Sequence, residues 1–157
     1  MPTDTENFVA ELLERTDRRS RFLAGLDLIL TVVANFLAGP GAARSLPVGG
    51  LASSFTAHDQ LGEAWRHFRF HAGLTLLPLR LGEPASYFFD QLDRREAAGG
   101  KVQSQTELLC NQGGRAIGFI LTKRMKGQIS RQLSQELLTL TLAEGRFLTH
   151  ASDRERC

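Results

Sequence analysis

The chain has 157 residues, 42% of them hydrophobic and 23% charged, with a net charge of +2. That length can bury one core without disulfides or structural metal, and the near-neutral balance gives no global argument for nucleic acid or acidic substrates. One Tyr, one Trp and two Cys (Cys110 and Cys157) disfavour a sheet-rich fold and a disulfide framework, leaving a reducing compartment as the default and export by a specialised secretion system still open.

Thr3-Asp4-Thr5-Glu6 is a capping box, and Phe8, Val9, Leu12 and Leu13 follow at helical spacing to about Thr16. The cluster Arg15, Asp17, Arg18, Arg19 and Arg21 reads as a solvated helix end. Phe22–Ala38 is the most apolar run. Its 17 residues fall short of a membrane span and include Asp27 and Asn35, and a signal peptide would not follow 21 residues that carry five acids. A buried core helix stopped by Gly39-Pro40 is the better expectation, with Asp27 at an edge or paired. Gly39–Ser54 is rich in glycine and proline and reads as a loop.

His58–Arg80 reads as one central helix. Asp59, Glu63, His67 and His71 recur every four residues along it, a polar stripe that the surrounding apolar positions do not require. Pro78 ends or kinks it, and Gly82-Glu83-Pro84 opens the next helix with proline in its first turn. There Tyr87, Phe88 and Leu92 suggest the apolar face, with Asp90, Asp93 and Glu96 opposite, and Gly99-Gly100 ends the run. Ser104–Glu107 is a second capping box, for a helix to about Lys126. Gly113, Gly114 and Gly118 inside it each cost about 1 kcal/mol relative to alanine, which implies another helix backbone crossing closely. Glu107, Asn111 and Arg115 form a second stripe at four-residue spacing. After Gly127, the residues Ile129, Leu133, Leu137 and Leu140 suggest a last amphipathic helix to about Glu144. The expectation is an all-α, single-domain bundle of five or six helices over 1–157. It divides into an N-terminal helical pair (1–38), a loop (39–57), a core carrying the polar seam (58–145) and a tail (146–157).

Two polar stripes on otherwise apolar helices are where chemistry would sit. Glu63, His67, Glu107 and Asn111 are the candidate catalytic residues, by metal-free acid–base work with a histidine tuned by a carboxylate. Arg66, His71 and Arg115 are the candidate ligand-binding residues. Glu63, His67 and His71 have a spacing at which metal ligands converge, but no fourth ligand is identifiable, so no metal is assigned and no cofactor is named. The competing reading is a structural network, with Glu63 pairing to Arg66 or His67 and Glu107 and Arg115 answering across the interface. Cys110 with a histidine base is weighed against the commoner role of a small buried side chain. The basic run Arg115, Lys123, Arg124, Lys126 and Arg131 lacks aromatic interleaving and reads as a solvated face.

The sequence Glu63-Ala64-Trp65-Arg66-His67, then Gly82 and a helix ending in acids, then Glu107-Leu108-Leu109-Cys110-Asn111-Gln112-Gly113-Gly114-Arg115-Ala116-Ile117-Gly118 resembles an uncharacterised bacterial helical domain. That domain occurs alone and at the ends of Rhs-type and toxin-like proteins, and its pattern runs Asp-Ala-x-Arg-His, His-Glu, Asp-Leu-x-Asn-Asn-x-x-Gly-Arg. The resemblance covers about His58 to Gly118. Glu63 and Glu107 stand for its two acids, and Arg66, His67, Asn111, Gly114 and Arg115 match. Arg95-Glu96 stands where the His-Glu pair belongs, and Cys110 replaces the first asparagine. The resemblance implies toxin-like association; together with the two stripes, the expectation is a bacterial effector-type domain with a polar, hydrolytic site between helices 58–80 and 104–126. The alternative is a non-catalytic interaction module whose seam is structural, with a protein partner or membrane surface meeting the apolar N-terminal half.

Overall fold

The structure is a computed structural model that describes residues 1–39, 41–43, 46, 49–56, 63–78, 82–100 and 103–145, with the side chains of 103 and 104 excepted. Asp59, the second capping box at Ser104 and the tail 146–157 lie outside these residues. Among the described residues there are six α-helices and no strand: α1 Asp4–Thr16, α2 Arg21–Leu37, α3 Glu63–Leu76, α4 Gly82–Ala98, α5 Gln103–Met125 and α6 Arg131–Glu144. The all-α expectation holds. No helix among them is long and apolar enough to cross a membrane.

The helix starts follow from local chemistry. Thr3 accepts from Glu6 N (3.2 Å) while its own N–H donates to the Glu6 carboxylate (2.7 Å), completing the capping box. Ser20 and Ser130 cap α2 and α6 in the same manner, accepting from Leu23 N and Leu133 N. Gly145 closes α6 in the left-handed conformation, φ 64°.

α3 is central because glycines let its neighbours come close. A Cβ on Gly114 would lie 2.7 Å from His71 Cβ and 2.9 Å from the His67 carbonyl oxygen, and one on Gly118 would lie 2.6 Å from Thr75 Cβ. The close crossing expected from α5 is therefore against α3. A second crossing was not anticipated: Gly25 of α2 meets Gly73 of α3, and a Cβ on either would lie within 2.7 Å of the other's carbonyl oxygen. Around this three-helix slab a single hydrophobic cluster forms. It includes Leu12 and Leu13 of α1, Phe68 of α3, Ile117 and Leu121 of α5, and Leu138 of α6. Each of these buried side chains contributes roughly 1.5–3 kcal/mol of transfer free energy. Phe8 meets Trp65 edge-on at 3.9 Å, and Phe55, from a 3₁₀ turn at Ser53–Phe55, meets Phe68 at 4.9 Å.

Three expected faces are corrected. α2 is not a fully packed core helix: Ala24, Gly25, Leu28 and Val32 are buried, while Leu30, Val33, Phe36 and Leu37 are exposed. Its buried side includes Ala24 and Gly25 where it lies close on α3. Asp27 is paired as expected, with Arg15 at 2.8 Å and Arg19 at 3.1 Å. Burial raises its carboxyl, but hydrogen bonds from the two guanidinium groups outweigh that and hold it below the ordinary 3.8. In α4 the amphipathic sense is reversed. Ser86 and Asp90 face inward beside Tyr87, whereas Phe88 is 60% exposed and Leu92 40%. In α6 the buried line is Ser134, Leu138, Thr141 and Leu142, while Leu133 and Leu140 of the expected face are exposed.

Candidate functional site

The reversal of α4 creates the polar centre. Asp90 is 1% exposed and takes the Arg115 guanidinium in a two-pronged pair, at 3.0 Å to Oδ1 and 2.7 Å to Oδ2. Arg115 also donates to Ser86 Oγ (3.0 Å) and lies over the Tyr87 ring at 4.4 Å. Ser86 Oγ lies 2.6 Å from His71 Nδ1. The hydroxyl accepts from Arg115, and because it can both donate and accept it satisfies either neutral tautomer of the His71 ring. Arg115 was expected as a ligand-binding residue or, in the structural reading, as a residue that with Glu107 answers α3 across the interface. Its commitment to Asp90 makes it part of the buried framework instead.

Asn111, fully buried, links this framework to the open end of the seam. Its amide nitrogen donates to Asp90 Oδ1 (3.0 Å) and Asp93 Oδ2 (2.6 Å), and its oxygen lies 2.6 Å from His67 Nδ1. Carboxylates only accept, so the amide orientation is fixed by its two acidic partners, and the oxygen must face the imidazole. His67 therefore carries a proton on Nδ1, and in the neutral ring Nε2 is the acceptor. The expected bridge between the two stripes exists, and its members are His67 and Asn111. Glu63 pairs with Arg66 (3.0 Å), as the structural reading expected, so the imidazole is oriented by an amide backed by two carboxylates rather than by Glu63.

Beside His67 the carboxylates crowd. Ligand oxygens of Asp93, Glu96 and Glu107 all lie within 4.8 Å of one another. Desolvation, then the neighbouring acids, raise the carboxyl groups of Asp93 and Glu107 above their ordinary values, against the lowering effect of His67. These three would offer a hard cation oxygen ligands only. Among the described residues the triad Glu63, His67 and His71 does not converge as metal ligands: both Nδ1 atoms are engaged, and the two rings stack with centroids 6.3 Å apart. Glu96 joins this carboxylate cluster, while its neighbour Arg95 is exposed.

His67, His71, Glu63, Arg66 and Asp93 line a cleft of about 240 Å³, whose remaining walls are Val32, Val33, Phe36, Phe70 and Phe89. Arg66 is held there by Asn35 (2.6 Å) and Glu63, with its guanidinium 4.1 Å from the Phe36 ring centroid. Its Nη2 is buried with no acceptor among the described residues. Cys110 is buried on the far side, its Sγ 3.6 Å from the Phe55 carbonyl oxygen, and burial pushes its thiol well up. It is therefore no nucleophile. Of the basic run, Arg124 and Arg131 both pair with Asp17.

Ser86, Asp90 and Asp93 were not anticipated as site residues. Their spacing, four residues and then three, marks one helix face as clearly as the stripes on α3 and α5 do.

Burial, followed by the charges of His67 and Arg115, holds His71 well below its ordinary 6.5. The group is neutral in the fold. Its contribution is fully present above the unfolded value of 6.5 and is lost as pH falls below it, by at most about 1.4 kcal/mol per pH unit. Asp93 and Glu107 act oppositely. Their raised values mean that the fold gains protons before the unfolded chain does, so they add stability as pH falls towards their ordinary range. Urea unfolding from neutral to about pH 5 should show His71→Gln losing distinctly less stability than wild type on acidification. Parallel pH dependences would remove His71 as the acid-sensitive group.

The chain matches no family model, no curated protein sequence and no solved structure.

Proposed function

We propose that the cleft is a hydrolytic site with His67 as general base, in a bacterial effector-type domain. The observation that carries this reading is the order His67–Asn111–Asp93 at the edge of a cleft, which fixes the proton on Nδ1 and leaves Nε2 able to take another. A water held at Nε2 attacks a carbonyl carbon: the water oxygen–carbon bond forms, the bond to the leaving group breaks, and the water proton passes to Nε2 and on to the leaving group. Asp93 and Glu107 place negative charge near the imidazolium formed in that step. The toxin-associated resemblance supports the biological setting, and the coincidence of its Glu63, His67, Asn111 and Glu96 positions with this seam supports the location.

The test is hydrolysis of p-nitrophenyl esters by purified protein. His67→Gln should lower the rate by about 10²–10⁴-fold, the usual worth of a general base, while urea unfolding changes little. Expression of wild type, in cytoplasm and in periplasm, should slow growth in at least one compartment, and His67→Gln should relieve it.

The second reading, a non-catalytic interaction module, is supported by the exposed apolar residues Leu30, Val33, Phe36 and Leu37 of α2 and Phe88 and Leu92 of α4. Wild type that hydrolyses no ester and is harmless in both compartments would favour it.

A further inference from the structure

We infer that the cleft takes an uncharged medium-chain acyl ester, with the chain along α2 and α4 and the carbonyl oxygen at Arg66. The chemistry rests on the hydrolytic reading above, but the binding does not. The walls are apolar on both sides, with Val32, Val33 and Phe36 from α2 and Phe70 and Phe89 from α3 and α4. One polar demand is left within them. The Arg66 side chain is 8% exposed; its Nε and Nη1 are answered by Asn35 and Glu63, and its Nη2 has no acceptor among the described residues. A buried donor in that state carries a desolvation penalty that a ligand oxygen would recover. The Phe36 ring that covers the guanidinium is itself 60% exposed and forms part of the cleft wall.

Charge decides against an anion. Glu63 already balances Arg66, and Asp93 adds a carboxylate to the same cleft, so an anionic head group would meet net negative charge, while a cationic one could not accept from Nη2. A carbonyl satisfies the donor without that penalty. Size sets the chain length. A cavity of about 150 Å³ holds the six carbons of benzene, and 240 Å³ at the same density holds about ten.

The experiment is calorimetric titration of the His67→Gln protein, which should bind without consuming the ester, with 1-monooctanoylglycerol. Saturable binding is expected, with octanoate weaker by about tenfold or more. Val33→Arg, at a position 45% exposed, fills the cleft from its rim without touching the core and should abolish binding while leaving urea unfolding unchanged. Arg66→Met should weaken the ester by about tenfold and leave octanol unaffected. Octanoate binding as tightly as the ester, an unimpaired Val33→Arg, or no saturable binding at all would each overturn the inference. Co-flotation with phosphatidylcholine vesicles containing dioctanoylglycerol, lost in Val33→Arg, would make a bilayer the source of the ester. Binding of the dispersed ester without flotation would make it a free amphiphile. Wild type that binds but does not hydrolyse would overturn the hydrolytic reading and leave this inference standing.

Discussion

Asp90→Ala should be the most damaging single change in the polar centre, lowering unfolding free energy by about 3–5 kcal/mol in urea at neutral pH. Asp90 and Arg115 are each 2% exposed at the side chain and make two parallel hydrogen bonds. Taking such ions out of water is expensive, and the pair offsets the expense only while both members are present. With Asp90 gone, the Arg115 guanidinium keeps Ser86 as a partner and the Tyr87 ring, neither of which carries negative charge. Asn111 would keep only Asp93 as a carboxylate partner. The control is the double change Asp90→Leu with Arg115→Met, which removes both charges at similar bulk and should recover most of the loss. Equal losses in single and double variants would show that volume, not the loss of the carboxylate facing Arg115, sets the cost.

The same pair explains how much of the fold was legible in the chain. Gly114 and Gly118 were readable because a glycine inside a helix has a known cost and few remedies, and the close approach to α3 is the remedy found. The stripes of α3 and α5 were readable because side chains four apart stack, and His67 does reach Asn111. α4 misled for a physical reason. Its apolar and polar residues alternate around the helix at comparable strength, and pattern alone assigns the apolar side to the core. In this bundle the partner of α4 is a polar seam, so Asp90 and Ser86 turn inward and Phe88 turns out. Buried arginine on α5 was the available signal. Arg115 lies on a helix whose neighbouring positions, Ala116 and Ile117, are core residues, and a buried guanidinium demands an acid from another element. In α2 the residues Ala24, Gly25, Leu28 and Val32 mark the packed side, but the surrounding run is so apolar that no contrast singles them out.

Asn111→Asp changes one amide group to a carboxylate and should cost about 3 kcal/mol or more at neutral pH, more than the bulkier-looking Asn111→Leu. The native amide donates to two acids and accepts from one histidine, so each of its polar atoms has a partner of the required sense. An aspartate there keeps the oxygen facing His67 but replaces the donors to Asp90 and Asp93 with an acceptor, bringing a third carboxylate against two in a site where residue 111 is fully buried. Leucine loses the same hydrogen bonds without adding charge. The pH dependence separates the two explanations. The new carboxyl would have a folded pKa raised above its unfolded value, so its destabilisation is present at neutral pH and is relieved as pH falls through that folded value. Urea unfolding of Asn111→Asp should therefore converge on Asn111→Leu between neutral pH and about pH 5, after allowance for the His71 loss common to both. A gap between the variants that stays constant with pH would mean that repulsion is not the cause. The two variants should also part in activity: either change removes the amide that orients His67, but the aspartate still accepts from Nδ1–H, so wherever Asn111→Asp remains folded it should retain more hydrolysis than Asn111→Leu.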